Sequence, residues 1–209
     1  MKKFATFLIA SCAYSAWASG LESLESFIKS VKTGRSDFTQ VVTSPAKDGQ
    51  AARSKTSSGT FEFARPSRFK FIYKKPFEQT IVADGQTLWL YDLDLNQVTA
   101  RKQAATLDST PAALIASAAD LKSLEAHFVL QNAADQDGLE WVLAQPKGKD
   151  TSLQSVRVGF KGGEFSRLEI LDSFGQKSVM SFQSFQANVP LAEVTFQFKP
   201  PAGADVIRQ

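Results

Sequence analysis

The sequence has few of the side chains on which most enzyme chemistry depends. Among 209 residues there is one cysteine, Cys12, and one histidine, His127. A lone histidine cannot build a zinc site, and we expect His127 to be at or near the surface rather than a general base. Phosphate-binding glycine loops and Gly-x-Ser-x-Gly turns are missing, and no carboxylate pair of the glycosidase kind stands out. We predict a protein that is not an enzyme and needs no cofactor or metal.

Asp92 and Asp94 form the one pattern that suggests a metal ion. In "YDLDLN" they alternate with Tyr91, Leu93 and Leu95, which is typical of a strand with one solvent-facing side. The glycine and the bidentate glutamate of a calcium loop are missing. We interpret the two aspartates as the solvent face of a strand that leads into a turn.

The N-terminus, "MKKFATFLIASCAYSAWASG", has the three parts of a secretory signal peptide. Two lysines precede an apolar run over residues 4–10, and a small-residue cleavage site ends at Ala18. The run is too short to span a bilayer. Cleavage there leaves one domain, residues 19–209, and lowers the formal net charge from +3 to +1 because both lysines are removed. A nearly neutral protein is not expected to bind nucleic acid or a polyanionic membrane surface.

The same segment allows a second interpretation. "IASC", residues 9–12, has the form of a lipoprotein processing box, in which Cys12 would be lipidated. The segment before Cys12 is short and Ala18 lies at a more usual distance, so we favour ordinary cleavage. Cleavage after Ala18 removes the only thiol, which excludes disulfides and thiolate metal sites. The stability of the mature chain must then come from its core.

Hydrophobic spacing after residue 18 predicts a mostly β protein with a few helices. "LESLESFIKSVKT" has apolar residues at helical spacing, whereas period-two alternation begins at Phe38 and includes "GTFEFARP" and "QTLWLYDLDL". Thr110 and Pro111 mark the start of a short apolar helix in "TPAALIAS", after which strand patterns return. We count about ten strands. They predict one antiparallel, strongly curved sheet or incomplete barrel covered by helices.

Aromatic residues are the abundant feature, with 17 phenylalanines. In "FEFARPSRFKFIY" the rings share one parity, so an extended chain shows them on one face; they are Phe61, Phe63, Phe69, Phe71 and Tyr73. Arg65 falls on the same parity. The simpler interpretation is an ordinary core under the sheet. The more specific one is a cavity for an apolar ligand, covered by the "TPAALIAS" helix.

Three stretches together resemble the LolA family of periplasmic outer-membrane lipoprotein carriers: "GTFEFARPSRFKFIYKKPFEQTIVADGQTLWLYD", "TPAALIA" and "FQFKPPAGADVI". The similarity covers nearly all of the chain after the signal peptide. It implies an incomplete barrel closed by helices, with an apolar cavity for the acyl chains of lipoproteins. It also implies a periplasmic monomer whose partners are acylated lipoproteins, an inner-membrane ABC transporter and an outer-membrane receptor.

The resemblance also implies roles for individual residues. The family's key arginine falls on Arg65 and its cavity phenylalanine on Phe69. The arginine would close the lid by donating hydrogen bonds to backbone carbonyls near Ile28, Ile115 and Ala116. We expect the acyl cavity and its latch to consist of Arg65, Phe69, Phe61, Phe63, Phe71, Tyr73, Trp89, Tyr91, Ile28, Leu114, Ile115 and Ala116.

Two other functions fit the same fold. If Cys12 is lipidated, the chain would be the outer-membrane-anchored receptor of the pathway. A periplasmic regulatory protein that senses lipids or lipoproteins would bind the same ligand without passing it on. A secreted hydrolase is the weakest alternative.

Overall fold

The fold is a curved, open sheet of twelve strands with helices packed on its concave face. A computed structural model describes residues 19–46, 51–105, 118–148 and 152–209. The strands are β1 Thr33–Ser44, β2 Arg53–Ala64, β3 Arg68–Lys75, β4 Gln79–Asp84, β5 Thr87–Asp92, β6 Gln97–Lys102, β7 Phe128–Gln136, β8 Leu139–Pro146, β9 Leu153–Lys161, β10 Glu164–Asp172, β11 Lys177–Ala187 and β12 Asp205–Arg208. Two α-helices, α1 Gly20–Ser30 and α2 Leu121–His127, and two short 3-10 helices, η1 Gln103–Ala105 and η2 Glu193–Phe196, complete the described part.

The strand order is β12-β6-β5-β4-β3-β2-β1-β11-β10-β9-β8-β7. Neighbours pair antiparallel, as predicted, except that the C-terminal β12 lies parallel to β6. The predicted curved sheet with helices is therefore confirmed. Strand β2 begins at Arg53, six residues before the "GTFEFARP" pattern, because its polar first half pairs with the second half of β1.

Helix α1 has a complete capping box at its start. The Ser19 hydroxyl accepts from the backbone N–H of Glu22 at 3.3 Å, and the Glu22 carboxylate accepts from the backbone N–H of Ser19 at 2.8 Å. One face of the helix is buried, with Leu24, Phe27 and Ile28 each at most 3% exposed. The helix predicted from "LESLESFIKSVKT" is thus present.

The N-terminal turn of α1 is fixed to strands β7 and β8. The Ser23 hydroxyl donates to the buried carboxylate of Glu140 at 2.7 Å, and the backbone N–H of Leu21 donates to the Asn132 side chain at 2.8 Å. A Cβ at Gly20 would lie 2.3 Å from the carbonyl oxygen of Trp141, so only glycine permits this approach. The helix is therefore docked by polar contacts as well as by its apolar face.

A second, smaller core covers part of the convex face. Residues that pair across β4, β5 and β6 share one face of the sheet, and Val82, Trp89 and Ala100 are such a set. The C-terminal segment crosses this face: Phe196 of η2 is 1% exposed, and Phe198 lies 5.5 Å from the Trp89 ring. The C-terminal segment therefore covers the convex side of the sheet near β4–β6.

Candidate functional site

The concave face of β2 and β3 carries a continuous aromatic surface. Cross-strand pairing places Phe61 opposite Phe71 and Phe63 opposite Phe69. The four rings are at most 3% exposed, and the Phe61 and Phe71 rings stack at 4.3 Å between centroids. Tyr73 follows on the same parity, 6.3 Å from Phe71. The period-two pattern of the sequence therefore predicted correctly that these five rings share a face.

Rings from other elements complete this surface. Phe27 of α1 lies 5.4 Å from Phe165 and 6.1 Å from Phe63, and so joins the helix to both halves of the sheet. Phe38 of β1 meets the Tyr73 ring edge-on at 5.0 Å. Strands β9 to β11 contribute Phe160, Phe165, Phe182 and Phe185. We call this set, with the five rings of β2 and β3, the aromatic surface.

Arg65 lies where β2 ends, between the sheet and the helices. Its backbone N–H donates to the carbonyl of Lys32 at 2.8 Å. Its side-chain Nε donates to the carbonyl of Val31, the C-cap of α1, at 2.9 Å, and Nη1 donates to the carbonyl of Ala118 at 2.8 Å. The planar guanidinium can make both bonds at once because its donors form a fixed fork.

Aromatic rings also lie next to the Arg65 guanidinium. Its central carbon lies 5.2 Å from the ring centroids of both Phe27 and Phe63. Burial lowers the pKa of Arg65 to about 10, because removal from water disfavours the charged form. The group still remains a cation at neutral pH. We call the region around Arg65, Phe63 and Phe69 the closed end of the concave face.

The opposite end of the same face is open and more polar. A cavity of about 640 Å³ lies beyond Tyr73, where the inner positions of β1 and β2 change to Gln40, Val42 and Ser57. The Tyr73 hydroxyl donates to the Gln40 side chain at 3.0 Å, and burial raises the pKa of Tyr73 to about 12. The cavity is also lined by Arg53, Lys55, Phe77, Asp92 and Asp94. We call this region the open end.

The sequence is similar to that of known proteins. The family described as "Outer membrane lipoprotein carrier protein LolA" matches residues 29–199. This chain belongs to the LolA family. A protein of Albidiferax ferrireducens named "Outer-membrane lipoprotein carrier protein" is 68% identical over the whole of both chains, and one of the same name from Methylibium petroleiphilum is 50% identical, also over both.

A solved structure has a similar fold. The crystal structure of a LolA superfamily protein from Nitrosomonas europaea superposes with a TM-score of 0.52 at 10% sequence identity, covering 87% of this chain and 98% of that one. At this identity the likeness concerns the fold alone. The open, helix-covered sheet is thus the architecture of the LolA superfamily.

The structure places the predicted LolA-family site residues in two groups and leaves a third outside its reach. Arg65, Phe61, Phe63, Phe69, Phe71, Tyr73 and Ile28 lie together on the concave side. Leu114, Ile115 and Ala116, with the helix start at Thr110, fall in residues 106–117 and lie outside the described residues. Among the described residues, the Arg65 side chain donates to the carbonyls of Val31, three positions after Ile28, and Ala118, two positions after Ala116.

The structure separates Trp89 and Tyr91 from the other predicted site residues. They lie on the convex face, where both rings contact Phe198 and the Trp89 indole donates to the Asp84 carboxylate at 3.0 Å. The inner positions of β5 are Leu88 and Leu90 instead. Alternation shows that residues share a face but not which face, and here the C-terminal segment gives the other face an apolar cover of its own.

About half of the aromatic surface was not predicted from the sequence. Phe160, Phe165 and Phe182 come from strands β9 to β11, far along the chain from Arg65, although each shows the strand alternation. What was missing was the pairing of β1 with β11, which brings the two halves of the sheet together. Antiparallel pairs so distant in sequence carry no local signal.

Within residues 19–46, 51–105, 118–148 and 152–209, no three His, Cys, Asp or Glu side chains are grouped to hold a metal. His127 is exposed at the end of α2. In the same described ranges, no helix has the length and apolar character needed to cross a bilayer.

Proposed function

We propose that the protein carries acylated lipoproteins through the periplasm, with their acyl chains held against the aromatic surface. The observation that supports this most directly is the continuity of that surface from Phe63 at the closed end to Tyr73 at the open end. The names of the relatives, which are outer-membrane lipoprotein carriers, point to the same cargo.

Energetics explain why such cargo needs a carrier. Each buried methylene contributes about 0.8 kcal/mol, so an acyl chain of roughly fifteen methylenes costs on the order of 12 kcal/mol when water surrounds it. A carrier must shield most of that surface and still release it. Flat aromatic faces in broad contact suit this task better than a tight pocket, because they bind apolar chains of varied conformation.

In this proposal Arg65 is a latch. Its hydrogen bonds to Val31 and Ala118 join the end of α1 to Ala118, across the closed end. A hydrogen bond to a charged group contributes about 1.5 to 3 kcal/mol, which favours the closed arrangement but allows a partner or cargo to open it. We expect Arg65→Leu to lose cargo transfer, and equal transfer by this variant would refute the latch.

The energy for loading must come from a partner. The sequence contains no nucleotide-binding loop, so an inner-membrane ABC transporter would supply the work and an outer-membrane receptor would accept the cargo. We expect the purified protein to hydrolyse no ATP. Hydrolysis above background that persists through further purification would count against this part of the proposal.

A release assay tests the function. Tagged protein, residues 19–209, is added to inner-membrane vesicles that contain the lipoprotein transporter, with and without ATP. We expect ATP-dependent recovery of acylated lipoprotein in the soluble fraction, one per tagged chain. No recovery, from vesicles that load an established carrier, would refute the proposal and direct attention to whether Cys12 is lipidated.

A further inference from the structure

Gln103 is a buried polar residue that the proposed function does not yet use. It begins η1, directly after β6, and is 2% exposed. Its side-chain Nε2 donates to the carbonyl of Ser67 at 2.6 Å, and its Oε1 accepts from the backbone N–H of Gly85 at 3.0 Å. Its own backbone N–H donates to the carbonyl of Gln86 at 2.8 Å. One amide therefore joins two separate turns.

The first of these turns carries Arg65. Ser67 lies two residues after it and has a φ of +66°, a left-handed conformation that residues other than glycine seldom adopt. Such a conformation persists only where the surroundings hold it. The hydrogen bond from Gln103 is one contact that holds this turn from outside.

The second turn, around Gly85, is itself held by several hydrogen bonds. The Asp84 carboxylate accepts from the backbone N–H groups of Gln86 and Thr87, both at 2.8 Å, and from the Trp89 indole. These bonds lower the pKa of Asp84, although its partial burial works against them. Gln103 is thus anchored to a turn that is itself fixed on the convex side.

We propose that Gln103 is a positioning residue for Arg65. The guanidinium reaches two carbonyls on different elements, Val31 and Ala118, at 2.9 and 2.8 Å. Hydrogen bonds weaken steeply as the donor angle departs from linear. A shift of the 65–67 turn would therefore break at least one of the guanidinium's hydrogen bonds to these two carbonyls. Gln103 fixes that turn, and its effect on cargo rests on the proposed function of Arg65.

The test uses two substitutions at Gln103 and a matched control. Gln103→Leu removes both side-chain bonds, whereas Gln103→Glu keeps the acceptor for Gly85 and replaces the donor to Ser67 with a carboxylate. The control is Val98→Ala. Val98 is also buried and lies on β6, but it pairs with Tyr91 and not with the 65–67 turn. It reports what simple destabilisation of this strand does.

The first readout is hydrogen exchange at the Arg65 Nε–H, followed by NMR. We expect both Gln103 variants to accelerate exchange by about tenfold, the factor for one lost buried hydrogen bond, and Val98→Ala to leave it within about twofold. Unchanged exchange in both Gln103 variants would overturn the proposal, as would equal acceleration in the control. This readout does not depend on any cargo.

The second readout is affinity for palmitate that carries a fluorophore. We expect Gln103→Leu to change the affinity by about as much as Arg65→Leu, and to add less than about twofold in a chain that already has Arg65→Leu. Additive effects would show that Gln103 acts by another route and would overturn the proposal. If the unmutated protein fails to bind palmitate, the proposed function fails, while the exchange result still decides the role of Gln103.

Discussion

The two ends of the concave face differ although the same strands form both. At the closed end, the inner positions of β2 are Phe61 and Phe63, beside Arg65; at the open end they are Ser57, Lys55 and Arg53. The first group is packed and the second faces a cavity of about 640 Å³. Strand β1 pairs with β2 through both ends, whereas β3 pairs with β2 only from Ser58 onward. The open end therefore differs from the closed end in its side chains and in the loss of one neighbouring strand. The second half of β2 is thus part of a packed core, whereas its first half faces an open cavity.

The largest expected effect comes from removing a ring at the closed end. Phe69 is 0% exposed, and Phe69→Ala should lower the free energy of unfolding by about 3 to 5 kcal/mol through lost burial and a cavity. Urea unfolding at equilibrium measures it. The matched variant at the open end is Phe77→Ala, where the ring is 57% exposed and contacts Lys55, with an expected loss below about 1 kcal/mol. Equal losses would contradict the division.

A smaller effect concerns Tyr73, which stands between the two ends. Its pKa is about 12 in the folded protein, against about 10 in an unfolded chain. The stability from neutral Tyr73 is therefore fully present below pH 10 and is lost as the pH rises from about 10 to 12, up to roughly 2.5 kcal/mol. Urea unfolding from pH 9 to 11.5 should show a steeper decline in the unmutated protein than in Tyr73→Phe. Parallel curves would place Tyr73 with the solvated open end.

Next in size is the cap of α1, the helix to which Arg65 is bonded. Ser19→Ala removes the capping hydroxyl and should cost about 1 kcal/mol if α1 is a cooperative part of the closed end. Ser30→Ala, at the other end of the helix, removes an exposed bond to the carbonyl of Ser26 and should cost less than about 0.5 kcal/mol. Thermal unfolding compares the pair. No loss in Ser19→Ala would mean that α1 frays independently.

The smallest change in stability is expected at the open end itself. Ser57→Phe adds a ring on the cavity side, and Thr56→Phe adds one on the other face of β2. Both should alter stability by less than about 0.5 kcal/mol. Only Ser57→Phe should slow the release of labelled palmitate, because it extends the aromatic surface. Equal release rates for the two variants would mean that palmitate does not leave through the open end.

Much of the fold and part of the site follow from the sequence. Alternation predicted the strands and the shared face of Phe61, Phe63 and Phe69, because side-chain direction has a period of two in any strand. It could not predict that Trp89 faces outward, since the cover on that face comes from Phe198, distant in sequence. The parallel pairing of β12 with β6 escaped notice because four residues carry too little pattern.

The polar contacts of the site were harder to predict. Arg65 was expected to reach backbone carbonyls, but the identity of Val31 depends on where α1 ends, and helix ends are uncertain from sequence by a few residues. Gln103 gave no signal at all. A buried glutamine looks like an exposed one until the turns around it are known, because its partners, Ser67 and Gly85, lie in separate turns of the chain.

The strand order has a consequence for how the chain must be made. Strand β1 pairs with β11, joining Gly34 to Ala187, so the first strand to be synthesised cannot complete its pairing until one of the last is made. Contacts this distant in sequence slow folding, since a long loop must close before they form. Until that pairing forms, the phenylalanines in the first half of the chain are exposed to solvent and to other chains, which favours aggregation. The chain is therefore itself in need of shielding from other chains until β11 joins β1.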